Sequence, residues 1–187
     1  MKKVLVIMLL VCVGGNVLAQ KKKEIKKYKI KSNTVLTTDS SQGKEISYKE
    51  SFTRYDNNGN VIEDTEFNPD GTLKKKETFK YNKNDDVLEH VVYGPQGAIK
   101  KKTVTIYNSS NDKVETDRYD ENGKLTEKEL ITYDSMGTKA SETLIDASGA
   151  ITQKSLYAYN RKGLRLEKKI VDARGQLISV KKFNYEL

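Results

Sequence analysis

A strict 26-residue repeat runs through most of the chain. Two columns of identical residues carry this spacing without an insertion. They are the tyrosines Tyr55, Tyr81, Tyr107, Tyr133, Tyr159 and Tyr185 and the glycines Gly71, Gly97, Gly123, Gly149 and Gly175. Such a repeat indicates that each unit is one supersecondary element stacked on the next. The repeat, rather than the chain length, therefore sets the expected fold.

Each unit contains two short sequences that are typical of turns. The first follows the tyrosine, as at residues 134–137, and the second comes about twelve residues later, as at residues 146–149. Asp or Asn at the first turn position accepts local backbone hydrogen bonds, and Gly or Asn at the fourth accepts the positive φ of a hairpin bulge. The segments between the turns are rich in Thr, Val, Ile and Tyr, which favours β-strand.

These features predict an all-β fold, an antiparallel β-meander of roughly twelve strands that includes a degenerate first hairpin around residues 39–43. Turns of this length join only antiparallel neighbours. Because strands twist right-handedly, we expect a solenoid-like or coiled single-layer sheet. A closed up-and-down barrel is the alternative. The pattern does not set the strand register or the face that the tyrosines occupy.

Composition divides the chain into three segments. Residues 1–19 have a basic start, an apolar run and a small-residue cleavage site that ends at Ala19, which is typical of a secretory signal peptide. Residues 20–32 form a basic leader, and residues 33–187 form the β-repeat domain, with regular repeats from about residue 51. We therefore expect a periplasmic or secreted protein. Lipoprotein anchoring through Cys12 is the alternative, which the bulky Val11 before it disfavours.

The net charge of +8 is concentrated in the leader. Residues 21–31 hold seven lysines and one acid, whereas residues 32–187 hold 25 Lys and Arg and 25 Asp and Glu. A neutral repeat domain gives no reason to expect nucleic acid as a partner. We expect the leader to be solvated, and contact with an anionic surface or polymer is the alternative. Cys12 is the only cysteine, so the mature chain would have no disulfide.

The sequence shows no familiar catalytic arrangement, and we expect a non-enzymatic protein without cofactor or metal. The only histidine is His90, in a repeat column that we expect to face solvent and that also holds Asp64, Thr116, Glu142 and Lys168.

A column of glutamates also recurs, at Glu63, Glu89, Glu115 and Glu167. We expect it to pair with neighbouring Lys or Arg rather than to act as a glycosidase acid pair. The Asp-x-Asn-Gly segments that begin at Asp56 and Asp120 are interpreted as turns, not as calcium loops.

The tyrosine row is the main candidate for partner contacts. Equivalent residues lie two strands apart, about 9.6 Å, and each tyrosine offers an apolar face and a polar tip. The row either contacts a sugar chain or a peptide, or packs on cross-strand aliphatic side chains. Its candidate contact residues are Tyr55, Tyr81, Tyr107, Tyr133 and Tyr159.

The core pattern Tyr-Asp/Asn-x-x-Gly-x-x-x-Glu resembles the YD-repeat (RHS-type) proteins of bacterial exported chains. The match is carried by residues 55–59 with Glu63, residues 133–137, residues 159–163 with Glu167, and the half-repeat 119–125. It covers residues 51–187. The resemblance implies a spiralling β-sheet that encloses or displays other domains, although the strict 26-residue unit departs from the looser spacing of the family.

Two local features resemble those of Bacteroidota. The Ala19–Gln20 junction is similar to their secretory signals, and Asp134-Ser135-Met136 is similar to their O-glycosylation site, which makes Ser135 a candidate for modification.

We therefore expect an exported, non-enzymatic β-repeat protein that acts as a binding or display scaffold at the cell envelope. Its expected partner is a protein or glycan of the envelope, and no transmembrane span is expected in the mature chain. The alternative is a carbohydrate-binding module that uses the tyrosine row. Because the outer strands of an open sheet are unpaired, an edge-strand homodimer through residues 183–187 is a further hypothesis.

Overall fold

The computed structural model describes residues 16–41 and 44–186. The predicted signal peptide up to residue 15, with Cys12, lies outside the described residues. The helix and strands are α1 (Asn16–Lys27), β1 (Ser32–Ser41), β2 (Lys44–Tyr55), β3 (Val61–Phe67), β4 (Leu73–Tyr81), β5 (Val87–Tyr93), β6 (Ile99–Tyr107), β7 (Lys113–Tyr119), β8 (Leu125–Tyr133), β9 (Lys139–Asp146), β10 (Ile151–Tyr159), β11 (Arg165–Asp172) and β12 (Leu177–Lys182). Within these ranges no helix is both long and apolar enough to cross a membrane.

The twelve strands form one antiparallel sheet in the order of the sequence, from β1 to β12. Each strand pairs only with the strands before and after it, so β1 and β12 are the two edges and the sheet does not close. The predicted meander is confirmed, including the first hairpin, whose pairing runs to Ser41 and Lys44. The alternative of a closed barrel is wrong.

The turns have the predicted hairpin geometry. At residues 134–138, Gly137 N–H donates to the Asp134 carbonyl over 3.0 Å, and Asp134 N–H donates to the Thr138 carbonyl over 2.8 Å. The Asp134 carboxylate accepts from the N–H groups of Met136 and Thr138, both over 2.9 Å. Gly137 has a φ of 75°, a value that glycine adopts without the steric cost of a Cβ atom.

Two turns place a side chain where the others have glycine. Asp85 and Asn111 both have a φ of 66°. Asp85 accepts from the Asn60 amide over 2.7 Å, and Asn111 accepts from the Asn84 amide over 2.8 Å. Each of these hydrogen bonds joins one turn to the turn of the preceding unit. They offset the cost of positive φ, which Asp and Asn tolerate better than other residues.

The sheet presents two chemically distinct faces. Successive residues of a strand point to opposite faces, and Arg54, which pairs with Glu63, precedes Tyr55. The face with the tyrosine row is here called the tyrosine face. The face with the recurring glutamates is called the glutamate face.

Ion pairs cross the strands on the glutamate face, as the sequence predicted. Glu89 lies 2.7 Å from Lys80 on β4 and 2.7 Å from Lys102 on β6. Glu63 lies 3.0 Å from Lys76 in the same way. Where the fourth unit has Ser141 instead of Glu, its hydroxyl lies 2.8 Å from the Thr132 hydroxyl.

Few side chains are buried. The buried apolar residues of the described part are Ile25, Tyr55, Val91 and Ile131. Several small hydroxyl residues, such as Thr65 and Ser155, are also buried, beneath longer neighbours. A sheet with so small a core depends on its backbone ladder and cross-strand side-chain pairs.

The basic leader is not fully solvated, contrary to expectation. It forms most of α1, whose Ile25 is only 6% exposed. Lys22 of α1 makes a 3.1 Å ion pair with Asp85. The helix lies so close to the first turn that a Cβ atom on Gly59 would come within 2.8 Å of the Lys22 carbonyl. One apolar side chain among the lysines is enough to anchor the helix on the sheet.

We predict that Gly59→Ala destabilises the protein more than Gly137→Ala. Both glycines have positive φ, 83° and 75°, so each substitution costs about 1–2 kcal/mol from backbone strain. Only Gly59 touches α1, and release of Ile25 adds about 1.5–3 kcal/mol. Urea denaturation followed by circular dichroism measures both variants. Equal losses in the two variants would show that the α1 contact does not stabilise the fold.

We predict that Glu89→Gln lowers stability at neutral pH by less than about 1 kcal/mol, the usual value of a surface ion pair. Hydrogen bonds from Lys102 and Lys80 hold the pKa of Glu89 below its ordinary value of 4.5. A lowered folded-state pKa stabilises the fold above the unfolded pKa, and this contribution disappears as the pH falls through the folded pKa. The difference between wild type and variant should therefore shrink below pH 4.5 in thermal melts. Glu121→Gln, on an exposed turn, is the control and should show no such trend.

Candidate functional site on the tyrosine face

Each tyrosine of the row ends a strand, and most of their hydroxyls are used within the sheet. Tyr81 donates to the Val61 carbonyl over 2.7 Å, Tyr107 to the Val87 carbonyl over 3.2 Å, and Tyr133 to the Lys113 carbonyl over 2.8 Å. In every case the acceptor is the carbonyl of the first residue of the neighbouring strand. The tyrosines therefore tie strand ends together along one rim of the sheet.

The rings of the row differ in exposure. Tyr55 is 6% exposed and lines the contact with α1, whereas Tyr81, Tyr107, Tyr133 and Tyr159 are half-buried. Burial raises the pKa of Tyr81, Tyr107 and Tyr133, so their hydroxyls remain donors at neutral pH. The sequence left open whether the row packs or binds. The structure shows partial burial and backbone hydrogen bonds for this row, and partner contact stays a prediction for the four half-buried rings.

A cavity of about 410 Å³ lies between α1 and the tyrosine face. Ile25, Tyr55, Phe79 and Tyr81 give it an apolar lining, and Asp64 adds a carboxylate. That carboxylate accepts a 2.9 Å hydrogen bond from the Thr53 hydroxyl. Sequence reasoning missed this cavity because the leader was expected to be solvated.

The His90 ring stacks on Phe79, with 4.6 Å between ring centroids and 5° between ring planes. Its Nε2 lies 3.6 Å from a carboxylate oxygen of Glu77. The repeat column of His90 is not a solvent column, because its third member Thr116 is only 4% exposed. This corrects the expectation from sequence, which did not include the shielding of mid-strand residues by longer neighbours.

The Asp-x-Asn-Gly segments act as turns. The Asp56 carboxylate accepts from the N–H groups of Asn58 and Asn60 over 2.8 and 2.9 Å, and the Asp120 carboxylate accepts from Asn122 N–H over 2.9 Å. Over residues 16–41 and 44–186, no three His, Cys, Asp or Glu side chains gather as a metal site.

Tyr157 is the centre of a charged cluster that sequence reasoning missed. Its hydroxyl donates to Glu142, and the ammonium groups of Lys139 and Lys168 lie 5.9 and 5.2 Å from its ring centroid. Burial raises the pKa of Glu142, but hydrogen bonds from Lys139 and Tyr157 outweigh this effect and hold the pKa below its ordinary value. Glu142 is therefore a carboxylate that balances neighbouring cations.

Arg165 lies beside this cluster at the start of β11. Its guanidinium carbon is 4.7 Å from the ring centroid of Tyr157, 6.0 Å from that of Tyr159 and 5.7 Å from that of Phe183. Its Nε is buried and has no hydrogen-bond partner in the described part of the chain. The signal that could have found this residue is its repeat column, which is apolar in the first units and cationic in the last ones.

Ser135 lies on an exposed turn between β8 and β9. The neighbouring Met136 is 83% exposed, so both side chains are accessible. O-glycosylation at this position remains a prediction.

No protein-family profile matches the sequence, and no curated protein sequence matches it. Several solved structures show a low similarity to this chain. A Tc toxin complex, TcdB2-TccC3-Cdc42, is 14% identical with a TM-score of 0.45 over 80% of this chain, which spans 10% of the toxin chain. The Tc holotoxin pore of Photorhabdus luminescens is 12% identical with a TM-score of 0.44 over 80% of this chain and 9% of its own. A porin-like protein from Bacteroides uniformis is 11% identical with a TM-score of 0.38 over 83% of this chain and 56% of its own. The chain thus spans about a tenth of the toxin chains, the similarity is confined to the β fold, and the YD-repeat assignment stays a prediction.

Proposed function

We propose that this protein is an exported, non-enzymatic β-repeat protein that serves as a binding scaffold at the cell envelope. The observation that supports this most directly is the open twelve-stranded sheet, whose tyrosine face presents equivalent side chains on every second strand. Extended repeat surfaces of this kind suit long partners that contact several units at once.

The side chains of the tyrosine face are ordered by contacts within the sheet, without a bound partner. Tyrosine hydroxyls are bonded to backbone carbonyls, and charged side chains such as Glu142 and Lys139 are paired over 2.7 Å. Side chains that are already ordered lose less conformational entropy when a partner binds. The same bonds would direct a partner toward the ring faces rather than the hydroxyls.

A carbohydrate-binding module is the second candidate function. Ring faces about 9.6 Å apart on alternate strands offer flat apolar surfaces of the kind on which sugar rings stack. The candidate contacts are Tyr81, Tyr107, Tyr133 and Tyr159, since Tyr55 is covered by α1.

Export rests on the N-terminal sequence alone. If the signal peptide is removed after Ala19, the mature protein begins at Gln20, one turn inside α1. We predict that N-terminal sequencing of the full-length chain, expressed in a Gram-negative host, finds Gln20 at the start of the periplasmic or released protein. Cys12→Ser should not change this. Incorporation of radiolabelled palmitate that depends on Cys12 would show a lipoprotein instead.

We predict that Tyr107→Ala weakens binding of the partner at least fivefold, whereas Tyr107→Phe changes it less than twofold. The phenylalanine keeps the ring face and loses only the hydroxyl that is bonded to the Val87 carbonyl. Binding is measured on immobilised envelope polysaccharides and, separately, by cross-linking to envelope proteins. Circular dichroism confirms that both variants fold.

A polysaccharide signal that Tyr107→Ala abolishes supports the carbohydrate module, and a cross-linked protein lost in the same variant supports the scaffold function. Equal binding by wild type and Tyr107→Ala to both materials would exclude the tyrosine row as the contact surface. Absence of binding to either material would overturn the proposed function.

A further inference from the structure

The charge on the tyrosine face goes from balanced in the third and fourth units to positive in the last one. In the third unit Lys113 lies 3.3 Å from Glu129, and in the fourth Lys139 lies 2.7 Å from Glu142. Arg165 is the equivalent cation of the last described unit. The positions that correspond there to Glu129 and Glu142 are Lys181 and Lys168. Both balancing acids have become lysines.

This excess of positive charge is local. Residues 160–187 hold eight Lys and Arg and only three Asp and Glu, although the repeat domain as a whole is neutral. Arg161, Lys162 and Lys182 belong to the same segment. An excess of this kind creates a positive field over β11 and β12 that attracts anions.

The cations are held against one another. Lys168 on β11 pairs directly across the ladder with Lys181 on β12, and like charges placed opposite each other destabilise a sheet. Lys168 reaches Glu142 at 3.5 Å, whereas among the described residues no carboxylate lies within 4.0 Å of Arg165 or Lys181. A hydrogen bond with Tyr157 raises the pKa of Lys168, so this lysine remains charged. Lys181 has no carboxylate partner among the described residues, so the cost of the opposed charges falls on this side chain, and a bound anion would relieve it.

Aromatic and amide groups lie beside these cations. A cavity of about 560 Å³ is lined by Leu166, Phe183, Tyr185, Asn160 and Asn184, and its volume falls within the usual range of about 300–1,000 Å³ for ligand sites. Arg161 and Lys162 also line this cavity, and the guanidinium carbon of Arg165 lies 5.7 Å from the ring centroid of Phe183. The Tyr185 ring is 47% exposed, and amide side chains can both donate to and accept from hydroxyls.

We propose that the tyrosine face of β11 and β12 is a binding site for an acidic polysaccharide. Carboxylates on the sugar chain contact Arg165, Lys168 and Lys181, while sugar rings stack on Phe183 and Tyr185. The exposed ring of Tyr185 and the half-buried ring of Phe183, next to amides and cations, fit a carboxylated sugar better than a poly-acidic peptide, which would use the cations alone. This inference rests on the proposed binding function and names the substrate class and the unit that recognises it.

The test compares binding of polygalacturonate and polymannuronate oligomers with that of their methyl esters, which keep the sugar rings and lose the charge. Isothermal titration of the full mature chain should detect the acids, with an affinity that falls as salt rises, and methyl esterification should weaken binding at least tenfold. Poly-glutamate of equal charge should bind at least tenfold more weakly than the oligosaccharides.

Lys181→Glu restores the acid found at the equivalent position of the third unit. We expect this variant to lose at least tenfold in affinity while its melting temperature rises by about 1–4 °C, because the opposed lysines are removed. Lys154→Glu makes the same charge change on the glutamate face and should keep the wild-type affinity within twofold. A gain in stability with loss of binding is an outcome that a purely structural role for Lys181 does not produce.

Equal affinity for the methyl esters, equal affinity for poly-glutamate, or retained affinity in Lys181→Glu would each overturn the acidic-polysaccharide site. So would a lack of binding to both acidic oligomers. The proposed scaffold function survives these results if the chain still binds other envelope material through Tyr107. It fails only if that binding is absent as well.

Discussion

Backbone hydrogen bonds between neighbouring strands are the main interaction that stabilises this structure, because the described strands form one layer with very few buried side chains. In a two-layer domain, apolar burial would supply most of the stability. Here each strand must instead be aligned by its turns and by side chains that cross to the next strand. The strict 26-residue period agrees with this requirement, since a one-residue slip in the register of a strand would move its side chains to the opposite face.

The side chains that connect neighbouring strands differ in type according to their position along the strand. Tyrosine hydroxyls close the rim at the strand ends, turn amides and carboxylates join successive hairpins, and ion pairs fill the strand centres on the glutamate face. Each contact is small alone, but the same contact recurs from unit to unit. The stability of such an array is close to a sum of unit and interface contributions.

The regular part of the fold was predictable from sequence, whereas the exceptions to the repeat were not. Turn residues and alternation define the strands and their antiparallel order, and the glutamate column correctly predicted ion pairs such as Glu89 with Lys102. Composition gave a wrong prediction for the leader, which was expected to be solvated. Its one buried apolar residue, Ile25, docks the helix on the sheet. The Arg165 cluster was not predicted because its members come from different repeat columns, and which columns meet depends on the strand register, which the pattern does not set.

The two ends of the tyrosine face differ in whether a helix covers their aromatic side chains. At the first unit the aromatic site around Tyr55 is covered by α1, which approaches within van der Waals distance of Gly59. Gly163 is the equivalent glycine near the other end, and nothing lies within 4 Å of a Cβ atom placed on it. Only residues 28–31 connect α1 to β1, so the helix lies beside the first units and not beside β11. The first site is therefore covered by a lysine-rich helix, whereas the cationic aromatic surface at the other end is uncovered among the described residues, which favours the anionic partner proposed for it.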